Sequence, residues 1–178
     1  MNPIVPLVLS LLLAPALSVD LCRTVLAPEE AAELTGVSRD FYLRGNEVSA
    51  TNYVCRWAVP VLDPGPQCKN ASTEKYATGD CTVRIVEISF DCDPQSTRRT
   101  NAEAYVETLY ALGQEPVEIG DVGAWKSTSK SNMLTFAVSG CVVRIQRVPE
   151  EPKGEITSDQ LKENFLEIAK RIVVEIQE

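Results

Sequence analysis

From residue 133 to 147 the chain alternates apolar and polar side chains on either side of a Ser139-Gly140 pair. Leu134, Phe136 and Val138 recur at every second position, followed by Cys141, Val143 and Ile145, while Thr135, Arg144 and Gln146 fill the gaps. A period of two belongs to a strand with one buried face. Taking Ser139-Gly140 as a two-residue turn pairs Val138 with Cys141, Phe136 with Val143 and Leu134 with Ile145. All six then share the inner face. Arg144 lies on the opposite face and is expected to be exposed, so that its truncation to Ala costs no more than about 0.5 kcal/mol.

The same period recurs at 52–59, where Tyr53, Cys55, Trp57 and Val59 alternate with Val54, Arg56 and Ala58, so Cys55 and Trp57 are expected to point into the core together. The run 81–90 is apolar in both phases, with Val83 and Ile85 in one and Val86, Ile88 and Phe90 in the other. Either a strand covered on both faces or a phase-shifting bulge produces such a pattern. Between these runs lies a segment rich in Pro, Gly, Asn and Ser, bounded by Cys68 and Cys81. The pair of runs predicts a disulfide-braced hairpin.

Helical periods surround the strands. Pro28 suits a first helical position, Glu29 and Glu30 the positive helix start, and Gly36 the stop, so 25–36 predicts a short helix with Leu26, Ala31 and Leu34 inward. The span from there to Ser49 reads as loop. Thr100-x-x-Glu103 is a capping-box pattern opening a helix with Ala102, Val106, Leu109 and Tyr110, ended by Gly113. A loop through Pro116 leads to a tight turn at 119–125 that feeds a strand. After a Pro/Glu/Lys linker at 148–155, a second capping box, Thr157-x-x-Gln160, opens a helix presenting Leu161, Phe165, Ile168, Ala169, Ile172 and Ile176 at three- and four-residue steps. The order predicts an α+β domain, an antiparallel sheet of about five strands packed by helices on one side.

The first eighteen residues carry no charged side chain, and the apolar run 4–13 is followed by small residues at the spacing of a signal-peptidase site. Cleavage after Ser18 is expected, with Ala16 as second choice, leaving residues 19–178 as a single secreted domain. Asp20 and Arg23 end the apolar run short of a membrane span, and Asp20-Leu21 ahead of Cys22 argues against lipidation there. No later segment is apolar enough to span a bilayer. The localisation that follows is secreted, periplasmic or otherwise extracytoplasmic.

Six cysteines downstream of such a leader read as up to three disulfides. Cys68–Cys81 is the favoured pair because both flank one loop, and closing that loop contributes on the order of 3 kcal/mol. Cys22–Cys55 and Cys92–Cys141 are the preferred arrangement of the rest. With no C-x-x-C pair and no histidine in the chain, metal binding is a poor use of these cysteines, and Ser-His, Cys-His and His-bearing metal chemistry is excluded. No cofactor is implied. The net charge of −8 and the lack of a basic run argue against nucleic acid and anionic membrane.

Several features together resemble a group of secreted bacterial domains of unknown function. These are Cys22, the Val25-Leu26-Ala27-Pro28 helix start with Glu30 and Gly36, the strand Cys55-Arg56-Trp57, the turn Gly120-Asp121-Val122-Gly123-Ala124-Trp125, and the hairpin from Leu134 through Val143. Ala27 stands where the group has a capping Thr, an extra residue follows Cys22, and Cys68, Cys81 and Cys92 have no counterpart. The resemblance implies a PsbP-like fold, an antiparallel sheet between helices, and no activity.

Paired carboxylates at Glu29/Glu30, Asp91/Asp93 and Glu150/Glu151 fall at helix starts or in loops, where solvated acids are common. Trp57 and Trp125, with Tyr53 and Tyr105, are either core or the lining of an apolar cleft, and both tryptophans read as core. The long loop 63–80 carries the functional expectation, since long ordered loops are more often functional than short ones. It offers Lys69, Lys75 and Tyr76 on an acidic protein, beside an Asn70-Ala71-Ser72 glycosylation sequon. The sequence thus points to a non-catalytic binding or interaction module whose partner is an unidentified protein or envelope ligand. The alternatives are a secreted protease inhibitor presenting this loop and a carboxylate-dependent hydrolase.

Overall fold

The computed structural model describes residues 19–35, 42–47, 52–60, 82–92, 101–128, 131–147 and 156–177. Two short helices open it, α1 (Val19–Val25) and α2 (Pro28–Thr35). Strands β1 (Tyr42–Glu47), β2 (Asn52–Pro60) and β3 (Thr82–Asp91) follow, then helix α3 (Ala102–Ala111). Strands β4 (Glu115–Val117), β5 (Val122–Ser127), β6 (Asn132–Val138) and β7 (Cys141–Arg147) lead to the long C-terminal helix α4 (Ser158–Gln177).

All seven strands form one antiparallel sheet in the order β1-β2-β3-β7-β6-β5-β4. It consists of two meanders. The first runs inward from β1 to β3. The second starts at the far edge with β4 and returns until β7 lies beside β3, with α3 on the crossover between them. Seven strands replace the five expected. Residues 42–47, read as loop, are β1, an edge strand with Arg44, Gly45, Asn46 and Glu47 and no apolar alternation to betray it. Pro116, also assigned to a loop, sits in the three-residue edge strand β4, where its missing N–H costs no ladder bond. Helix α1, too, was not foreseen.

The hairpin β6–β7 has the predicted register, with Val138, Phe136 and Leu134 opposite Cys141, Val143 and Ile145. Ser139 and Gly140 both have positive φ, 48° and 76°, the signature of a type I′ turn that matches strand twist. The β2–β3 pairing shifts at Trp57/Ala58, where Trp57 faces Val86 but Ala58 faces Arg84. Ile85 is the residue left over. Of the two explanations for the doubly apolar run, a bulge is present.

One face of the sheet carries the main core. The six inward positions of α4, Leu161, Phe165, Ile168, Ala169, Ile172 and Ile176, are all buried against it, and Phe165 meets Trp125 edge to face at 5.8 Å. The capping box of α4 is closed in both directions, Gln160 N–H donating to Thr157 Oγ1 and Thr157 N–H to Gln160 Oε1, each at 3.2 Å.

Helices α1 and α2 are held on this same face by β2. Cys55 is disulfide-bonded to Cys22 of α1, and Trp57 Nε1 donates to the carbonyl of Leu26 at 3.1 Å. Both chains of the clamp are fully buried. Pro28 is indeed the first residue of α2. Ahead of it, Glu30 accepts the N–H of Ala27 at 3.0 Å, which supplies the reciprocal half of a capping box in a chain whose Ala27 cannot supply the other.

The opposite face corrects the one-sided expectation. Helix α3 covers it over β5, β6 and β7, burying Ala102, Val106 and Leu109 against Ala124, Ala137 and Val142. Small side chains at Ala124 and Ala137 let the helix come close. Thr135, assigned to a wet face, is fully buried. Arg144 is half-buried, and its Nη2 donates to Tyr105 Oη of α3 at 3.0 Å. The capping residue of α3 is Asn101, without a side-chain bond, and not Thr100, which lies outside the described residues. At its far end Gly113 has φ +78°, the left-handed stop that its identity suggested.

Two of the expected disulfides are present, Cys22–Cys55 and Cys92–Cys141. Their sequence separations of 33 and 49 correspond to about 4 kcal/mol each in the loop-entropy account. Cys68, Cys81 and the loop between them lie outside the described residues, as do residues 1–18 and the linker 148–155. Among the described residues no helix is long and apolar enough to cross a membrane.

The two sides of the sheet differ in what truncation should cost. Phe136→Ala, in the fully buried row under α4, is expected to lower stability by about 3–5 kcal/mol in urea unfolding. Arg144→Ala is expected to cost about 1 kcal/mol through its lost bond to Tyr105 and its packing under α3. Equal losses at the two positions would contradict the layer assignment.

Candidate functional site

The residues expected to contact a partner, Lys69, Lys75 and Tyr76, lie outside the described residues. The neck of their loop does not. Pro60 and Thr82 are the last pair of the β2–β3 ladder, so the loop leaves the sheet at the end where β7 finishes and α4 begins.

Most other residues singled out for chemistry turn out to hold the fold. Trp57 and Trp125 are core, and so is Tyr53; Tyr105 is the acceptor for Arg144. The turn at 120–125 is explained residue by residue. Gly120 has φ +60°, and a Cβ there would stand 2.3 Å from the Ala137 carbonyl oxygen. Asp121 N–H donates to that same carbonyl at 2.8 Å, while its carboxylate accepts the N–H of Ser139 at 3.0 Å. A Cβ on Gly123 would collide with Ile119 and with the Val117 carbonyl of β4. Ala124 lies under α3 and Trp125 under α4. The motif ties the start of β5 to the β6–β7 turn.

Of the paired carboxylates, Glu30 is committed to Ala27 N–H and to Arg171 of α4, whose Nη1 donates to it at 3.1 Å. The backbone bond from Ala27, with Arg171 assisting, holds its pKa below the ordinary carboxylate value. Glu29 is exposed and Asp91 half-buried, while Asp93, Glu150 and Glu151 lie outside the described residues. No group of three or more metal-ligating side chains occurs among the described residues.

Two features were not anticipated. The first is an open groove of about 760 Å³ at the β4 edge, lined by Tyr110, Pro116–Val122 and Lys170. It forms where both helical layers reach the margin of the sheet. Tyr110 comes from α3 on one face and Lys170 from α4 on the other, while β4 and the turn into β5 make the floor. Tyr110 Oη donates to the Gly123 carbonyl at 2.9 Å, and burial raises its pKa. The floor is apolar through Pro116, Val117, Ile119 and Val122; Glu118, Asp121 and Lys170 supply charge around it. Read in sequence alone, this stretch was a loop and a turn, and no local signal shows that two layers meet there.

The second is Arg147, the last residue of β7. It continues the inward row Cys141, Val143, Ile145 and is 8% exposed. Burial pushes its pKa below the arginine range. Its Nε is enclosed, with no acceptor among the described residues.

No family model matches the chain, and no curated protein or solved structure matches it. The reading of its function therefore rests on the geometry.

Because the folded-state pKa of Glu30 is lowered, its contribution to stability is complete above the unfolded value near 4.5 and is lost as pH falls through the folded value. Glu30→Gln should melt below the wild type at neutral pH, and the gap should close as pH drops below about 4.5. A gap independent of pH would mean that the carboxylate charge is not what Ala27 N–H and Arg171 recognise.

Proposed function

We propose that the chain is an extracytoplasmic binding module, with no catalytic role, that seats an apolar segment of a partner in the groove beside β4. The groove itself carries the reading. It is open, Pro116, Val117, Ile119 and Val122 give it apolar lining, and Glu118, Asp121 and Lys170 supply charge, a mixture suited to sites that combine desolvation with a few orienting polar groups. Its floor is also rigid, because Gly120, Asp121 and Gly123 bind it to the hairpin turn and to β4. A preorganised floor lowers the ordering cost of association.

Two disulfides support an oxidising compartment. The side chains with displaced pKa values include Glu30, which is explained by its capping bond and its pairing with Arg171. On this reading the loop 63–80, through Lys69, Lys75 and Tyr76, is a second contact surface. Its neck, Pro60 and Thr82, lies at the opposite end of the sheet from the groove.

A photo-cross-linking residue at Glu118, in the groove, should capture a discrete partner from the native envelope or culture medium, whereas one at Glu103, on the exposed side of α3, should not. Equal capture at the two positions, or none at 118, would overturn the groove as the site. Repeating the experiment with residues 69–80 replaced by a Gly/Ser linker, and Cys68 and Cys81 changed to Ser, assigns the loop. Capture lost from a folded chain makes the loop part of the interface, and capture retained removes it.

A further inference from the structure

We propose that Arg147 is the floor of a carboxylate-binding site at the corner where β7 ends and α4 begins. A guanidinium cannot shed its charge as a lysine can, and burying it uncompensated is costly. Among the described residues Arg56 pairs with Glu87 at 3.0 Å, Arg171 with Glu30 and Lys162 with Glu115, while Arg144 reaches Tyr105 through Nη2 although its own Nε is enclosed without an acceptor. Arg147 goes further. Among the described residues no carboxylate, carbonyl or hydroxyl bonds to it, and its Nε–H has no acceptor in an enclosed position.

Its neighbours are neutral polar side chains. Arg147 stands directly opposite Asn132 of β6, and Asn132 opposite Ser127 of β5. The three lie side by side on the face that carries α4, and directly opposed residues of an antiparallel pair bring their Cβ atoms to about 5 Å. Asn132 Nδ2 donates to Ser127 Oγ at 2.8 Å, and Ser158 Oγ of α4 donates to the same atom at 2.7 Å. Having accepted two bonds, Ser127 is left with a hydroxyl proton to give. Ser158 is the first residue of the 20-residue helix α4, whose N-terminus is its positive end. The N–H groups of Gln160 and Leu161 are taken by Thr157. The corner is open on this side, since Ser127 and Ser158 are exposed. Asp159 is the acid nearest in sequence on α4; it is exposed and not bonded to Arg147.

The charge count selects the ligand. One buried cation among neutral polar neighbours balances one negative charge, and a carboxylate matches the paired N–H edge of a guanidinium. A dianionic phosphate would leave a net negative charge against Val86 and Ile145, the apolar neighbours of Arg147 in its row and strand. The site lies at the loop-neck end of the sheet, away from the β4 groove, so it stands whether or not the groove binds anything.

The test uses the full chain and the Nε–H resonance of Arg147 in ¹H–¹⁵N spectra, assigned by its absence from the Arg147→Lys spectrum. Sodium acetate, titrated against sodium chloride at constant ionic strength and neutral pH, should move that resonance saturably. Inorganic phosphate over the same range should move it less than half as far. In parallel, acetate should raise the melting temperature of the wild type by a few degrees, as expected when a ligand binds only the folded state, and leave that of Arg147→Met unchanged. Arg147→Met should itself be at least as stable as the wild type without acetate, because it removes an unpaired buried charge. An Nε–H resonance indifferent to acetate, or one that phosphate moves equally, would overturn the proposal. So would an Arg147→Met chain that keeps the acetate response. Should that variant fail to fold, the resonance titration on the wild type decides alone.

Discussion

Six residue pairs between β3 and β7, from Val86↔Arg147 to Asp91↔Val142, join the two halves of the sheet. The neighbouring strand pairs within each meander are adjacent in sequence. The β3–β7 seam is different, because it closes a long stretch of chain and yields nothing until both meanders are in place. Its two ends are handled differently. At one, Cys92 is covalently joined to Cys141 next to the last ladder pair, which removes much of the closure entropy from the unfolded chain. At the other stands Arg147, bonded to nothing among the described residues. The seam is locked at one end and chemically open at the other.

The motifs that gave the chain its recognisable outline serve this frame. Cys55 and Trp57 project from one face of β2 and grip α1 and the α1–α2 junction through a disulfide and an indole hydrogen bond. Gly120, Asp121 and Gly123 join the start of β5 to the β6–β7 turn and to β4. In both cases a short run of residues fastens pieces that are distant along the chain. That accounts for their specific chemistry without calling on a ligand. Loss of the first would free a helix pair, and loss of the second would loosen the edge that forms the groove floor.

The groove and the buried cation fall instead where layers end. At the β4 margin α3 and α4 approach from opposite faces and leave a groove between them. At the far end of β7 the C-terminal helix starts over a row of polar side chains with a cation beneath. The two places are separated by the length of the sheet, so a ligand at one does not touch the other. Both are carried by one sheet.

What the sequence by itself determined were the features carried by local periodicity and turn chemistry. A period of two and a Ser-Gly turn specify the β6–β7 register, because a slip of one residue would turn Phe136 and Val143 out to water. A 3.6-residue period with Thr157 and Gln160 specifies α4 down to its six buried positions, and Cys55 and Trp57 already share a phase. Edge strands carry no such signal. β1 reads Arg-Gly-Asn-Glu through its last four residues, and β4 is three residues around a proline; both exist because a neighbouring strand pairs with them. Only the tertiary structure decided that α3 returns over the second face, turning Thr135 from a wet position into a buried one and Arg144 into a half-buried partner of Tyr105. It alone placed Tyr110 and Lys170 across a groove, and Arg147 in the core row with no anion bonded to it among the described residues. A period of two says which face a residue occupies, but the cover over that face comes from segments far away in the chain.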